Sequence, residues 1–194
     1  MASDPPDPPP TPNIDPIIRE MHDQNERGAA IIGGVFLEDK LRVFIELRWP
    51  PISNTVRNRL FTGYGPLSSF SAKIAIAHAM GVLNTKSKSD CDKIRLIRND
   101  AAHIGTPFSF SAPENLKHLS AIHCIRDQSL FDSRSPNRAR NQFTSAVKSF
   151  FFYLWIQEIF KKRFGYDTVV PDLGSKTPSK KRRTKSSLES KRVS

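Results

Sequence analysis

The sequence predicts an all-α fold: one helical bundle flanked by two tails. Three observations carry this expectation. Apolar residues recur at helical spacing, and strand-like alternation is essentially absent. Helix start and stop residues punctuate the chain at helix-length intervals. The composition also changes sharply at both ends, leaving a uniform body between them.

Ile14, Ile17, Ile18 and Met21 open the body with an i, i+3, i+4, i+7 stripe, for which Asp15 is the expected N-cap and Pro16 the first helical residue. After Asn25 the apolar density rises through AAIIGGVFLEDKLRVFIEL, where Gly28, Ala29, Ala30, Gly33 and Gly34 allow close approach of a neighbour. Trp49-Pro50-Pro51 ends that element, since proline disfavours a helical residue before it. Ser53 caps a short helix through Leu60 and Phe61. Gly63-Tyr64-Gly65-Pro66 is a tight turn, followed by LSSFSAKIAIAHAMGVL with Gly81 as its stop. Ser89 starts the next helix, CDKIRLIRNDAAH, and 104–111 is irregular. Ser111-Ala112-Pro113-Glu114 reads as a capping box opening ENLKHLSAIHCI. A loop over 126–135 then leads to a long helix from Pro136 to about Arg163. In that helix the run FFFYLWIQEIF is apolar nearly all round, which predicts central burial first and a helix-mediated dimer second.

The expected organisation is therefore an arm over 1–16, a helical domain over 17–166 and a tail over 167–194. Seven of the 15 prolines lie in the arm, which predicts an extended, polyproline-like segment. The tail is Ser/Lys/Arg-rich and too poor in apolar residues to order itself. Of the net charge of +11, the stretch Gly174 to Ser194 contributes +7, from eight basic residues and one acidic. Lys180, Lys181, Arg182, Arg183 and Lys185 form a footprint suited to nucleic-acid phosphates. Without aromatic residues among them, these cations predict salt-dependent, sequence-blind binding, or simply a solubilising tail.

Composition also excludes function classes. No apolar run approaches the roughly 18 residues a membrane span needs, so no membrane association is expected. The N-terminal region lacks the basic and apolar segments of a secretory signal, so the expectation is a cytoplasmic protein with Cys91 and Cys124 reduced. Neither these cysteines nor the five histidines have metal-ligand spacing, and no metal or cofactor is expected.

The most informative stretch for chemistry is Ile94 to His103. At 100° per residue, Ile94, Ile97, Ala101 and Ile104 form a core stripe. Asn99 and His103 share the opposite side with Leu96, and Arg98 lies on the flank between. The patch with Leu96 predicts cover from another helix or a partner subunit. Two readings of the polar residues stand side by side. His103 can move a proton of a ribose 2′-hydroxyl while Arg98 holds the phosphate and Asn99 assists, a workable RNA-cleavage set. Alternatively, Arg98 pairs with an acidic side chain and His103 caps a helix end. Gly63, Gly65, Ser68 and Ser69 admit a similar pair of readings: helix N-terminal amides offered to an anion, or a turn followed by a serine cap. The P-loop lysine and the GxGxxG glycines are both missing there, which argues against a nucleotide. Lys73 and Arg27 are candidates to line the same cavity.

The strings GYGPLSSFSAKIAIAHAMGVL and DKIRLIRNDAAH, in this order, resemble the core of the mannitol operon repressor (MtlR/MltR) family. Glu26-Arg27-Gly28-Ala29-Ala30 is similar to that family's first-helix segment, and the resemblance spans roughly Ile17 to Arg163. It implies an all-helical transcriptional regulator, a repressor of mannitol uptake genes without a typical helix-turn-helix. Arg98, Asn99 and His103 also resemble the Arg-polar-x3-5-His pattern of HEPN domains. That superfamily is all-helical and often dimeric, and it includes metal-independent ribonuclease toxins as well as inactive binding members. The expected partners are thus a regulatory protein or a second copy of the chain, with nucleic acid reached through the tail.

Overall fold

The structure, a computed structural model, describes residues 13–125 and 135–164, with side chains described to residue 159. The expectations for the proline-rich arm, most of the 126–135 loop and the basic tail fall outside these residues. Within them the fold is all-α, as the periodicity predicts: α1 (Asp15–Asp23), α2 (Glu26–Glu46), α3 (Asn54–Phe61), α4 (Phe70–Ala79), α5 (Thr85–Ala102), α6 (Pro113–Ser120) and α7 (Arg138–Phe164).

Helix α2 is the central strut, packed against α1, α4, α5 and α7. Its small residues permit this. A Cβ on Gly33 would come within 3.0 Å of Phe143 and Met21, so α7 and α1 close onto α2 only because that atom is missing. Phe110, Phe143, Phe150, Leu37, Leu41 and Ile94 fill the interior between the helices. In the apolar run of α7, Phe150, Phe151 and Leu154 are buried, while Phe152, Trp155 and Ile156 are half-buried on its flanks. Gln157 at that level is 1% exposed. Its amide donates to the Val82 carbonyl (2.9 Å) and accepts from Arg48 (3.0 Å).

Several boundaries differ from the sequence reading, because residues other than those expected set them. Asp15 is the first residue of α1 and not its N-cap: Ile14 holds that position, and the Asn13 side chain accepts from the Asp15 amide at 3.0 Å. Helix α5 begins four residues before Ser89. Asn84, as good a capping residue as serine, accepts from the Ser87 amide at 2.8 Å. The polar but buried Ser87 and Asp90 conceal this first stretch of the helix from hydrophobic periodicity. Ser111 forms no capping box: Ala112 is the N-cap of α6, with Pro113 in its first turn. That helix stops at Ser120, because the Asp90 carboxylate, 1% exposed, collects the amides of His123 and Cys124, each at 2.8 Å, and draws the chain into a turn.

The last difference concerns the α5 stripe. Ile94, Ile97 and Ala101 are buried as expected, but Ile104 is 94% exposed. The helix ends at Ala102, and the chain departs toward Arg27 before the stripe can continue.

Candidate functional site

The three motif segments meet around one residue that the sequence reading did not single out, Glu38. It lies on α2 one turn after Gly34 and therefore on the same face. Its Oε1 accepts from Lys73 Nζ of α4 at 2.6 Å, and its Oε2 from Arg98 Nη2 of α5 at 2.5 Å. Side-chain exposure is 14% for Glu38, 6% for Lys73 and 24% for Arg98, so one carboxylate serves two cations away from bulk water. Lys73 also donates to the Ser68 carbonyl at 2.9 Å. Arg98 donates to Asn99 Oδ1 at 3.0 Å and lies 5.9 Å from the Phe70 ring centroid. Gly34 makes room for it: a Cβ there would stand 2.7 Å from Arg98 Cβ and 2.6 Å from its Cγ. An acid one turn after a glycine pair, at the end of the apolar run AAIIGGVFL, was the available signal for Glu38.

The other candidates disperse. Arg27 lies eleven residues before Glu38, about 16 Å along the helix axis, so it does not share a cavity with Lys73. Its guanidinium instead gathers the carbonyls of Ala101, His103 (2.8 Å) and Thr106 (2.5 Å), closing the C-terminal end of α5. Arg140 does the same for α1, donating to the carbonyls of Met21 (2.6 Å), His22 (2.9 Å) and Gln24 (2.6 Å). His103 is the C-cap of α5, with its amide on the Asp100 carbonyl at 3.1 Å and an exposed side chain. Arg98 leans inward onto Glu38, whereas His103, with extended backbone just past the end of α5, faces out. Leu96 is 39% exposed.

The Gly63–Ser69 segment is a turn followed by a cap. Ser69 Oγ accepts from the Ala72 amide at 3.1 Å, and the amides of Gly65, Leu67 and Ser68 are all donated to nearby carbonyls. A Cβ on Gly65 would run into the carbonyl oxygens of Arg59 and Leu60, so only glycine lets the turn close. At its apex Tyr64 is fully exposed. The preceding α3 is held chiefly by buried Phe61, between Trp49 (5.7 Å between centroids) and the Arg42 guanidinium (5.0 Å). Unlike the other helices, it makes no broad helix–helix contact. Lys180, Lys181, Arg182, Arg183 and Lys185 lie outside the described residues.

Among the described residues no cluster of His, Cys, Asp and Glu could hold a metal ion, and no helix is long and apolar enough to cross a membrane. Both cysteines are free thiols. Burial, reinforced by nearby aspartates, pushes Cys91 and Cys124 well above the usual thiol range.

Comparison with known proteins supplies the context. The mannitol operon repressor of Escherichia coli K12 is 27% identical over 66 residues, 34% of this chain and 34% of that protein. The chain thus aligns with about a third of the length of this curated relative. Two solved structures share the fold. The MtlR–HPr complex from Escherichia coli has a TM-score of 0.53 at 16% identity, covering 76% of this chain and 95% of that one. A possible transcriptional regulator, YggD, from Shigella flexneri has a TM-score of 0.58 at 15% identity, covering 75% and 97%. The mannitol repressor family model matches residues 50–161, from just before α3 into α7 and so through both motif strings. With more than half of its length inside that match, the chain belongs to the mannitol repressor (MtlR) family.

Proposed function

We propose that this chain is a repressor-type transcriptional regulator acting through protein or nucleic-acid binding rather than catalysis, with a regulatory protein as its main partner. The observation that carries the reading is the fate of the motif cations. Lys73 and Arg98 are held by Glu38, and Arg27 by the end of α5, so all three brace the bundle. What faces outward is the glycine-locked turn with Tyr64, beside the loosely packed α3 with Val56 and Arg59 exposed. An exposed aromatic on a rigid turn, flanked by a cation and an apolar side chain, has the composition of an interface anchor. The solved Escherichia coli relative in complex with HPr supports a protein partner. The basic tail would add salt-dependent contact with nucleic acid, and the family supports a sugar-alcohol uptake operon as the regulated target.

Two assays test this. Co-purification with HPr and gel shift on promoter fragments from the chain's own genomic neighbourhood should each give a complex at low salt. Tyr64→Ala should weaken the protein complex at least about tenfold, the scale of an interface anchor. Failure to bind either HPr or any promoter fragment removes the reading.

A second reading is a metal-independent ribonuclease of the HEPN type, with Arg98 on the phosphate and His103 in proton transfer. The exposed side chain of His103, and Asn99 bonded to Arg98, favour it. Incubation with RNA in EDTA decides: no cleavage, or cleavage unchanged in His103→Ala, eliminates the enzyme.

A further inference from the structure

Between α6 and the start of α7 lies an open cleft of about 490 Å³ whose lining is chemically one-sided. Lys117 and Arg138 contribute two cations, and none of the lining residues is acidic. Among the described residues neither cation has an ion-pair partner, and Arg138 Nε is buried without a hydrogen bond. Gln142, on the floor, is 5% exposed, and its amide has no partner among the described residues. Ser111 and Ser135 add hydroxyls at the rim. The first turn of α7, a 27-residue helix, also borders the cleft, bringing the positive end of the helix dipole to the same place. A buried guanidinium nitrogen loses hydrogen-bonding to water on folding, so leaving Arg138 Nε unsatisfied is costly unless something else fills the role.

We propose that this cleft binds a small phosphate monoester. The two cations, unpaired among the described residues, match the charge of a phosphomonoester, which approaches −2 at neutral pH. A guanidinium and an ammonium are the usual pair for its oxygens, one by a fork of donors and the other as a point charge. The cleft is larger than the phosphoryl group requires and falls within the range typical of small-ligand sites. Gln142 and the serine hydroxyls suit the hydroxyls of a polar body, and Leu116 offers it an apolar wall. The site shares no residue with the Glu38 cluster or the Tyr64 turn, so it stands or falls separately from the repressor reading.

Calorimetric titration of the full chain tests the proposal, in about 0.3 M potassium chloride so that exposed tail charges are screened. Three probes are compared: glucose 6-phosphate, glucose and inorganic phosphate. The expected result is saturable binding of glucose 6-phosphate, none of glucose, and inorganic phosphate weaker by at least about tenfold, one polar contact's worth of affinity. Lys117→Gln and Arg138→Gln should each weaken glucose 6-phosphate at least about tenfold, since each removes a charge-assisted hydrogen bond. Gln142→Glu, nearly the same shape but anionic, should abolish binding. Replacing Lys180, Lys181, Arg182 and Arg183 with glutamine should leave it unchanged. Lys117 is exposed on α6, so its variant keeps the fold and is scored even if Gln142→Glu does not fold. Binding that survives both cation substitutions, follows the tail, or is equal for glucose overturns the site. Equal affinity for inorganic phosphate overturns the monoester in favour of the free anion, and absence of any binding overturns both.

Discussion

Replacing Glu38 with glutamine should be among the most damaging single changes in this bundle. The substitution keeps shape and volume but removes the carboxylate shared by Lys73 and Arg98. Lys73, at 6% side-chain exposure, and Arg98 would then share one neutral amide oxygen in place of a carboxylate, with the Ser68 carbonyl (2.9 Å) and Asn99 (3.0 Å) as their other acceptors. Removing one partner of a buried ion pair costs about 3–5 kcal/mol, because the other charge stays buried and uncompensated. Arg98, at 24%, can turn partly toward water, which places the expected loss near 3 kcal/mol. For a domain of this size that corresponds to a fall in Tm of about 6–12 °C. Urea denaturation followed by circular dichroism gives the free energy directly. The charge count makes a sharper claim. Because two cations share one carboxylate, Lys73→Met should cost less than Glu38→Gln. The double variant should also be more stable than the sum of the two losses implies. A Glu38→Gln loss below about 1 kcal/mol, or a costlier Lys73→Met, would refute the idea that Glu38 holds the three segments together.

Other expectations follow from the same contacts. Gly34→Ala places a Cβ against the root of Arg98, not its flexible end, and should cost about 1–3 kcal/mol in urea titration by forcing α2 and α5 apart. Asp90→Asn replaces one accepting oxygen with an NH2 group where both carboxylate oxygens take backbone amides, and should destabilise by about 1–3 kcal/mol with faster amide exchange at His123 and Cys124. Because burial holds both thiols above their ordinary pKa, alkylation at neutral pH should be far slower in the native chain than in urea, and mass spectrometry after timed iodoacetamide treatment reads this out. Tyr64→Ala, which removes a side chain with no buried surface, should shift the urea midpoint by no more than about 0.5 kcal/mol equivalent.

The sequence by itself determined the helical class, since periodicity and the residues that start and stop helices are local properties. Ser53, Ser69 and Gly81 act where local chemistry places them: two serines accept amides at their helix starts, and Gly81 adopts a φ of 72° at the end of α4. It also carried the family, because the GPLSSFSAKI and IRLIRNDAAH strings are contiguous. Tertiary structure decided what those residues do. Periodicity carried α5 on through Ile104, but three carbonyls captured by Arg27, some 75 positions earlier, end it first. A capping box and a longer α6 were reasonable locally, yet the carboxylate of Asp90 pulls the chain out of the helix after Ser120. Arg98 was visible as a charge on the flank of a helix. Its partner was not, because Glu38 lies 60 residues away and only packing of α2 against α5, permitted by the missing Cβ of Gly34, brings the two charges together.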